Sequence, residues 1–208
     1  MTTRNTDGTV TLEASTLHTM LTRVSPFQST DTMTPVLCGA RVFADGAELV
    51  AHATDRFTLG ETRGKLIDDT GAPFSALISS PDVKRIVDMV KPARGSSSVR
   101  PIRLTLEGSA LTVTDEWGSG SSMIARVLDG DYPRVSSLLT TAAESESMPV
   151  GELHLDPNYF VKLHKSLGSK VKHVALKMPA NRHGAVLVTI PGEDDFRAIL
   201  MPRRNPNV

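Results

Sequence analysis

The sequence predicts an α+β fold made of three copies of one β-α-β-β-β plan. Two observations predict it. A helix with a single apolar face recurs three times, and each helix is followed by three strand-like runs broken at turn residues. Each copy takes about 55–65 residues, with little residue identity between copies. Short helices on one face of antiparallel strands are the architecture that such a pattern implies.

Residues 1–8 are polar and are expected to fray. Val10-Thr11-Leu12 reads as a short strand. The spacing of Leu17, Met20, Leu21 and Val24 predicts a helix over Ala14–Val24, and Pro26 stops it. Runs at 35–44, 47–54 and 57–63 read as strands, the first two joined at Asp45-Gly46, a strong hairpin signal. The second copy opens with a strand over Phe74–Ile78. Ser79-Ser80-Pro81-Asp82 is a helix start, with a serine cap and an early proline. Val83, Ile86, Val87 and Val90 form its apolar face, and Lys91-Pro92 ends it. Strands over 99–106, 110–116 and 121–128 follow, the first turn being Glu107-Gly108-Ser109.

Residues 136–149 are rich in Ser, Thr, Glu and Ala and read as connecting chain, with the linker proper at 140–150. The third copy has a strand over Leu153–Leu155 and a helix capped by Asp156 and opened by Pro157. Phe160, Leu163 and Leu167 share a face, and Gly168 stops it. Strands over 172–178, 184–190 and 195–201 close the chain. The expected organisation is thus two paired units over 9–139, a linker, and a single unit over 151–208. Three units leave one without a sister, so strand pairing is expected to continue between chains.

Composition narrows the function. In 208 residues, 23 Lys+Arg balance 23 Asp+Glu, so no bulk basic field collects nucleic acid. One cysteine, Cys38, excludes an internal disulfide and a cysteine-based zinc site; between Leu37 and Gly39 it reads as a small buried hydrophobe. No apolar run is long enough to span a membrane, and the N-terminus lacks the apolar stretch of a signal peptide. A soluble cytoplasmic protein without membrane contact is expected.

Little in the sequence points to catalysis. No Walker-type loop or dinucleotide fingerprint is present, and Gly118-Ser119-Gly120-Ser121-Ser122 precedes a strand rather than a helix. No Gly-x-Ser-x-Gly elbow has plausible partners. His18, His52, His154, His164, His173 and His183 form no metal-binding pair, and Asp115, Asp129 and Asp131 are read as turn chemistry. No catalytic residue, metal or cofactor is expected. Positive charge on the helices says more. Arg23 lies near the end of the first helix, Lys84, Arg85 and Lys91 on the second, and Lys162 and Lys165 on the third, with Lys170 and Lys172 just beyond. On one side of the sheets these would make a basic stripe that meets phosphates without reading sequence.

Five segments carry a resemblance. Thr34-Pro35-Val36-Leu37-Cys38-Gly39-Ala40-Arg41-Val42 and Leu49-Val50-Ala51-His52-Ala53-Thr54-Asp55-Arg56-Phe57-Thr58-Leu59 resemble signature pieces of the middle domain of the bacterial sliding clamp, the β subunit of DNA polymerase III. Leu128-Asp129-Gly130-Asp131-Tyr132-Pro133 resembles the end of that domain. Asp156-Pro157-Asn158-Tyr159-Phe160 and Ile199-Leu200-Met201-Pro202-Arg203-Arg204 resemble a helix start and the C-terminal tail of the last domain. A usual clamp subunit has six such units. The resemblance therefore implies a shortened clamp, of a kind a phage could encode, with the DNA-clamp fold: antiparallel sheets outside, helices on one face lining a hole.

That resemblance implies a function without an active site. A homo-oligomeric ring encircles duplex DNA, independent of sequence, and tethers a DNA polymerase at the template. A clamp loader is expected. A twelve-unit ring at three units per chain needs four chains, and a tetramer is favoured over a trimer. Polymerase and other replication proteins insert short peptides with apolar anchors into a groove. Carried over by position, its residues are Leu37, Thr54, Arg56, Phe57, Thr58, Leu59, Pro133, Ser137, Leu138, Ile199, Met201, Pro202, Arg203 and Arg204. Arg203 stands where the family often has Met, and Thr58 and Ser137 where Arg is common. The alternative is an adaptor or decoy that binds clamp-motif peptides without encircling DNA. An unrelated α+β enzyme finds no catalytic constellation here.

Overall fold

Helix α1 (Ala14–Val24) has the bounds its apolar spacing dictates, and it buries Leu17, Met20, Leu21 and Val24. Each such side chain, taken fully out of water, contributes about 1.5–3 kcal/mol, which is what fixes a short helix to its sheet. The computed structural model describes residues 4–68, 71, 73–92, 99–117, 120–146, 153–179 and 184–203.

The first unit is β1 (Gly8–Glu13), α1, β2 (Gly39–Asp45), β3 (Glu48–Thr54) and β4 (Thr58–Lys65). Gly46 takes a positive φ of 60° in the β2–β3 turn, which is why Asp45-Gly46 reads so clearly as a hairpin. The second unit is β5 (Ser75–Ser79), α2 (Ser80–Met89), β6 (Pro101–Glu107), β7 (Ala110–Asp115) and β8 (Ser122–Arg126). The α2 cap is Ser79, whose hydroxyl accepts from the Asp82 N–H. Helix α3 (Ser136–Glu144) follows, then α4 (Pro157–Leu167), β9 (Ala175–Lys177), β10 (Val186–Ile190) and β11 (Glu193–Leu200).

The two sheets are built by exchange. One has the order β1-β6-β7-β8, so the first strand of unit one lies in the sheet of unit two. The other has the order β5-β2-β3-β4-β11-β10-β9, so unit two returns its own first strand to unit one. The third unit joins this second sheet at a seam, where β11 pairs antiparallel with β4, Ile199 opposite Leu59 and Leu200 opposite Thr58. Helices α2, α1 and α4 lie in a row, α1 touching both neighbours. Their buried faces share one core with the inner faces of both sheets. A second, smaller core lies under α3.

The fold class agrees with the sequence, and four local readings need correction. Residues 4–8 are not frayed: Asn5 donates to the Leu128 carbonyl and accepts from the Leu77 N–H, and Thr6 pairs with Ser75. Residues 136–144 are helix α3 rather than linker, because Leu139 and Ala142 bury against β10 and β11. Of the expected linker, 147–150 lie outside the described residues. Residues 153–155 form no strand with any described partner, for want of a sister sheet. Cys38 is only half-buried and its thiol faces the Asp31 carbonyl, because Pro35–Leu37 forms a 3-10 turn where a strand was expected.

Candidate functional site

The β3–β4 turn is drawn tight by its own side chains. The Asp55 carboxylate accepts from the Phe57 N–H at 3.1 Å, and from the Thr58 N–H at 2.7 Å and hydroxyl at 2.8 Å. Thr54 Oγ1 accepts from the Arg56 N–H at 3.2 Å and donates to the Thr58 carbonyl. These bonds hold Arg56 at a φ of 80°, a left-handed conformation that costs a non-glycine residue about 1 kcal/mol or more. The other Asp55 oxygen takes the Lys162 ammonium of α4 at 2.5 Å. Burial would raise the Asp55 pKa, but Lys162 and the Thr58 donors outweigh it and hold the carboxyl below its usual range.

This turn forms one wall of an apolar site at the seam. Leu37, Leu59 and Ile199 are buried in the smaller core, with Met201 packed against it. Met201 N–H donates to the Phe57 carbonyl at 2.9 Å, fixing the chain after β11 beside the turn. Phe57 is 51% exposed, and the Arg203 guanidinium sits 5.6 Å from its ring centre. Arg203 also pairs with Asp156 at 2.6 Å. Tyr132 and Val135 are buried in the same cluster, while Pro133, Ser137 and Leu138 remain exposed, Leu138 by 52%. Burial pushes the Tyr132 phenol far above its usual pKa. An exposed aromatic-cation pair, Phe57 with Arg203, thus stands beside a buried apolar cluster, and Leu138 of α3 is a second exposed apolar side chain. Such a surface can anchor apolar side chains of an extended peptide.

Of the fourteen residues carried over by position, the floor residues Leu37, Leu59, Ile199 and Met201 share one cluster. Thr54, Arg56, Phe57 and Thr58 make the turn, and Pro202 and Arg203 follow Met201. Thr58 is 1% exposed and Thr54 6%, so both are packing residues rather than rim. Arg204 lies outside the described residues. Sequence reading missed Leu139 and Tyr132, whose burial builds the floor. The spacing Val135, Leu139, Ala142 is the helical signal that could have found α3.

Of the cations expected to face DNA, Arg23 and Lys162 are tied to acids of other elements. Arg23 is bound by Asp195 at 3.0 Å and Glu193 at 2.9 Å at the start of β11, and Lys162 is bound by Asp55. Lys84, Arg85, Lys91, Lys165, Lys170 and Lys172 are exposed, Arg85 pairing with Asp82 within its own helix. Between α4 and the chain after α1 lies a cleft of about 430 Å³ lined by Gln28, Asp31, Asp55, Arg56, Lys162 and Lys165. Among the described residues no cluster of three His, Cys, Asp or Glu side chains could hold a metal, and no helix is long and apolar enough to cross a membrane.

A network missed in the sequence reading locks the seam. His52 Nε2 donates to Glu61 at 2.7 Å with both side chains essentially buried. Arg197 of β11 donates to the other Glu61 oxygen, which Arg63 also reaches at 3.3 Å. Burial would raise the Glu61 pKa, yet His52 and Arg197 together hold it at about 2.

Comparison with solved structures places this geometry. The β subunit of DNA polymerase III from Thermotoga maritima is 14% identical, with a TM-score of 0.74 over 99% of this chain and 68% of its own. The sliding clamp of Bacillus subtilis is 13% identical, with a TM-score of 0.73 over 99% of this chain and 66% of its own. A Pseudomonas aeruginosa clamp bound to griselimycin is 13% identical, with a TM-score of 0.77 over 95% of this chain and 66% of its own. The chain thus has the sliding-clamp fold and spans about two thirds of the length of these proteins. Neither a protein-family model nor a curated protein matches its sequence.

Proposed function

We propose that the protein is a DNA sliding clamp, a processivity factor that encircles duplex DNA and tethers a polymerase through the apolar site at the β4–β11 seam. The observation that carries this reading is the clamp fold retained over nearly the whole chain, with α2, α1 and α4 in one row. Exposed lysines on that row suit weak, sequence-blind contact with phosphates. In this reading the ring is a homo-oligomer, a tetramer by unit count, set on DNA by a loader in the cytoplasm, and it catalyses no reaction. The partner peptide lays apolar anchors over Leu37, Leu59, Ile199 and Met201, between Phe57 and Leu138.

The test separates the two contacts. Lys84→Glu, Lys91→Glu and Lys165→Glu together should reduce retention on circular DNA several-fold, while a labelled peptide with two apolar anchors binds as before. Unchanged retention would count against the helix row as the DNA face. Phe57→Ala with Leu138→Ala should weaken the same peptide at least tenfold, and an undiminished affinity would remove the groove. A second reading, a peptide-binding adaptor that does not encircle DNA, draws support from Arg23 and Lys162 being neutralised by acids. It predicts peptide binding with equal loss from circular and linear DNA.

A further inference from the structure

The third unit repeats the first two position by position, and the repeat shows what it lacks. In every unit, the carbonyl three residues before the helix accepts from the N–H just beyond the last strand: Ile67 to Thr11, Leu128 to Leu77, and Arg203 to His154. Four and two residues before the helix stand an alternating apolar pair: Val10 and Leu12, Ala76 and Ile78, Leu153 and Leu155. In units one and two that pair is buried, because the strand that carries it enters the sister sheet antiparallel, β1 against β6 and β5 against β2. In unit three the same pair is only half-buried, and 153–155 joins no strand among the described residues. The receiving position is open as well. β9, the counterpart of β2 and β6, ends its sheet with no described strand on its outer side, and Leu176 there is 38% exposed.

The helices give an independent sign. The fourth residue of α1 is Leu17 and that of α2 is Val83, each 1% exposed where the two helices lie side by side. The fourth residue of α4 is Phe160, 48% exposed, with Val161 beside it equally open. A phenylalanine at a position that its two counterparts bury completely is a core residue without its cover.

We propose that a second copy of this chain supplies that cover. Residues 153–155 of each copy pair antiparallel with β9 of the other across a two-fold axis, and the two α4 helices close over Phe160 and Val161. The chain contains the template for this contact in its own β1–β6 and β5–β2 exchange, and one unit offers both the donated strand and the receiving edge. A self-complementary pair of this kind closes as a dimer rather than growing into a fibre. The inference stands on the repeat and is independent of any action on DNA.

Light scattering over a dilution series tests it, together with hydrogen exchange. The chain should run at twice or four times its own mass, and the amides of Ala175–Lys177 should gain protection as concentration rises. Phe160→Glu, on an exposed face, should shift dissociation about tenfold or more to higher concentration with the circular dichroism unchanged. Leu176→Lys, on the receiving strand, reads the same contact should Phe160→Glu lower the folded fraction. A monomer at every concentration, a trimer, or an assembly indifferent to both variants would overturn the proposal.

Discussion

Units one and two hold each other twice over, by exchanged strands in both sheets and by the contact of α1 with α2, whereas unit three is held by the β4–β11 seam, the side of α4 that meets α1 and the smaller core under α3. The difference shows in the chemistry of each junction. The paired units meet over apolar residues such as Leu12, Leu17, Ile78 and Ile102, all at most 1% exposed. The third unit adds a charge network to its seam, with Glu61 receiving His52 from its own unit and Arg197 from across the junction. Where a junction has few strands to pair, a buried carboxylate shared by both sides gives it one register, since any slip leaves an unpaired charge.

Breaking that carboxylate should have the largest effect. Glu61→Ala leaves His52 and Arg197 facing an empty buried site and should cost about 3–5 kcal/mol in chemical denaturation. The single tryptophan, Trp117, lies just beyond β7 in the second unit and reports the paired units alone. Circular dichroism should then fall at lower denaturant than tryptophan fluorescence; coincident transitions would mean that the seam does not hold the third unit separately.

Acid should act on the same group in the wild type. The folded Glu61 pKa, about 2, lies below the ordinary 4.5, so its contribution is present in full above the ordinary value and is lost as pH falls toward 2. Stability should decline from about pH 5 to pH 2, and Glu61→Gln should flatten that decline. An equal slope in both proteins would assign it to other carboxylates.

Packing beside the seam offers a smaller perturbation. A Cβ on Gly60 of β4 would sit 2.4 Å from the fully buried Phe27 ring, so Gly60→Ala should cost about 1–3 kcal/mol in thermal unfolding. An unchanged midpoint would show that Phe27 can move aside. The smallest effect is expected in the paired units. Ser79→Ala removes the α2 cap and should cost about 1 kcal/mol, shifting both probes together and leaving the seam intact.

Legibility in the sequence follows the range of the interaction. Helix α1 could be read to its end residues and the Asp45-Gly46 hairpin to its turn, because periodicity and turn chemistry are local. Helix α3 was missed because its Ser, Thr and Ala residues look like linker until Leu139 and Ala142 meet β10 and β11. At the candidate groove, the floor residues were named by position, but nothing local announces that Arg203 stacks on Phe57 or that Lys162 and Arg23 are tied to acids. Those partners stand 107 or more residues apart in the chain.

The sequence by itself determined the α+β class, the three-fold plan and the helices with one buried face. Only the tertiary structure decided which edge meets which: β1 with β6, β5 with β2, β4 with β11. The reason is physical. Every strand edge presents the same row of N–H and C=O groups, so local pattern can state that a strand needs a partner without naming it. The choice falls to the side-chain faces that pack when the sheets close, and to a few buried groups such as Glu61 that tolerate one register.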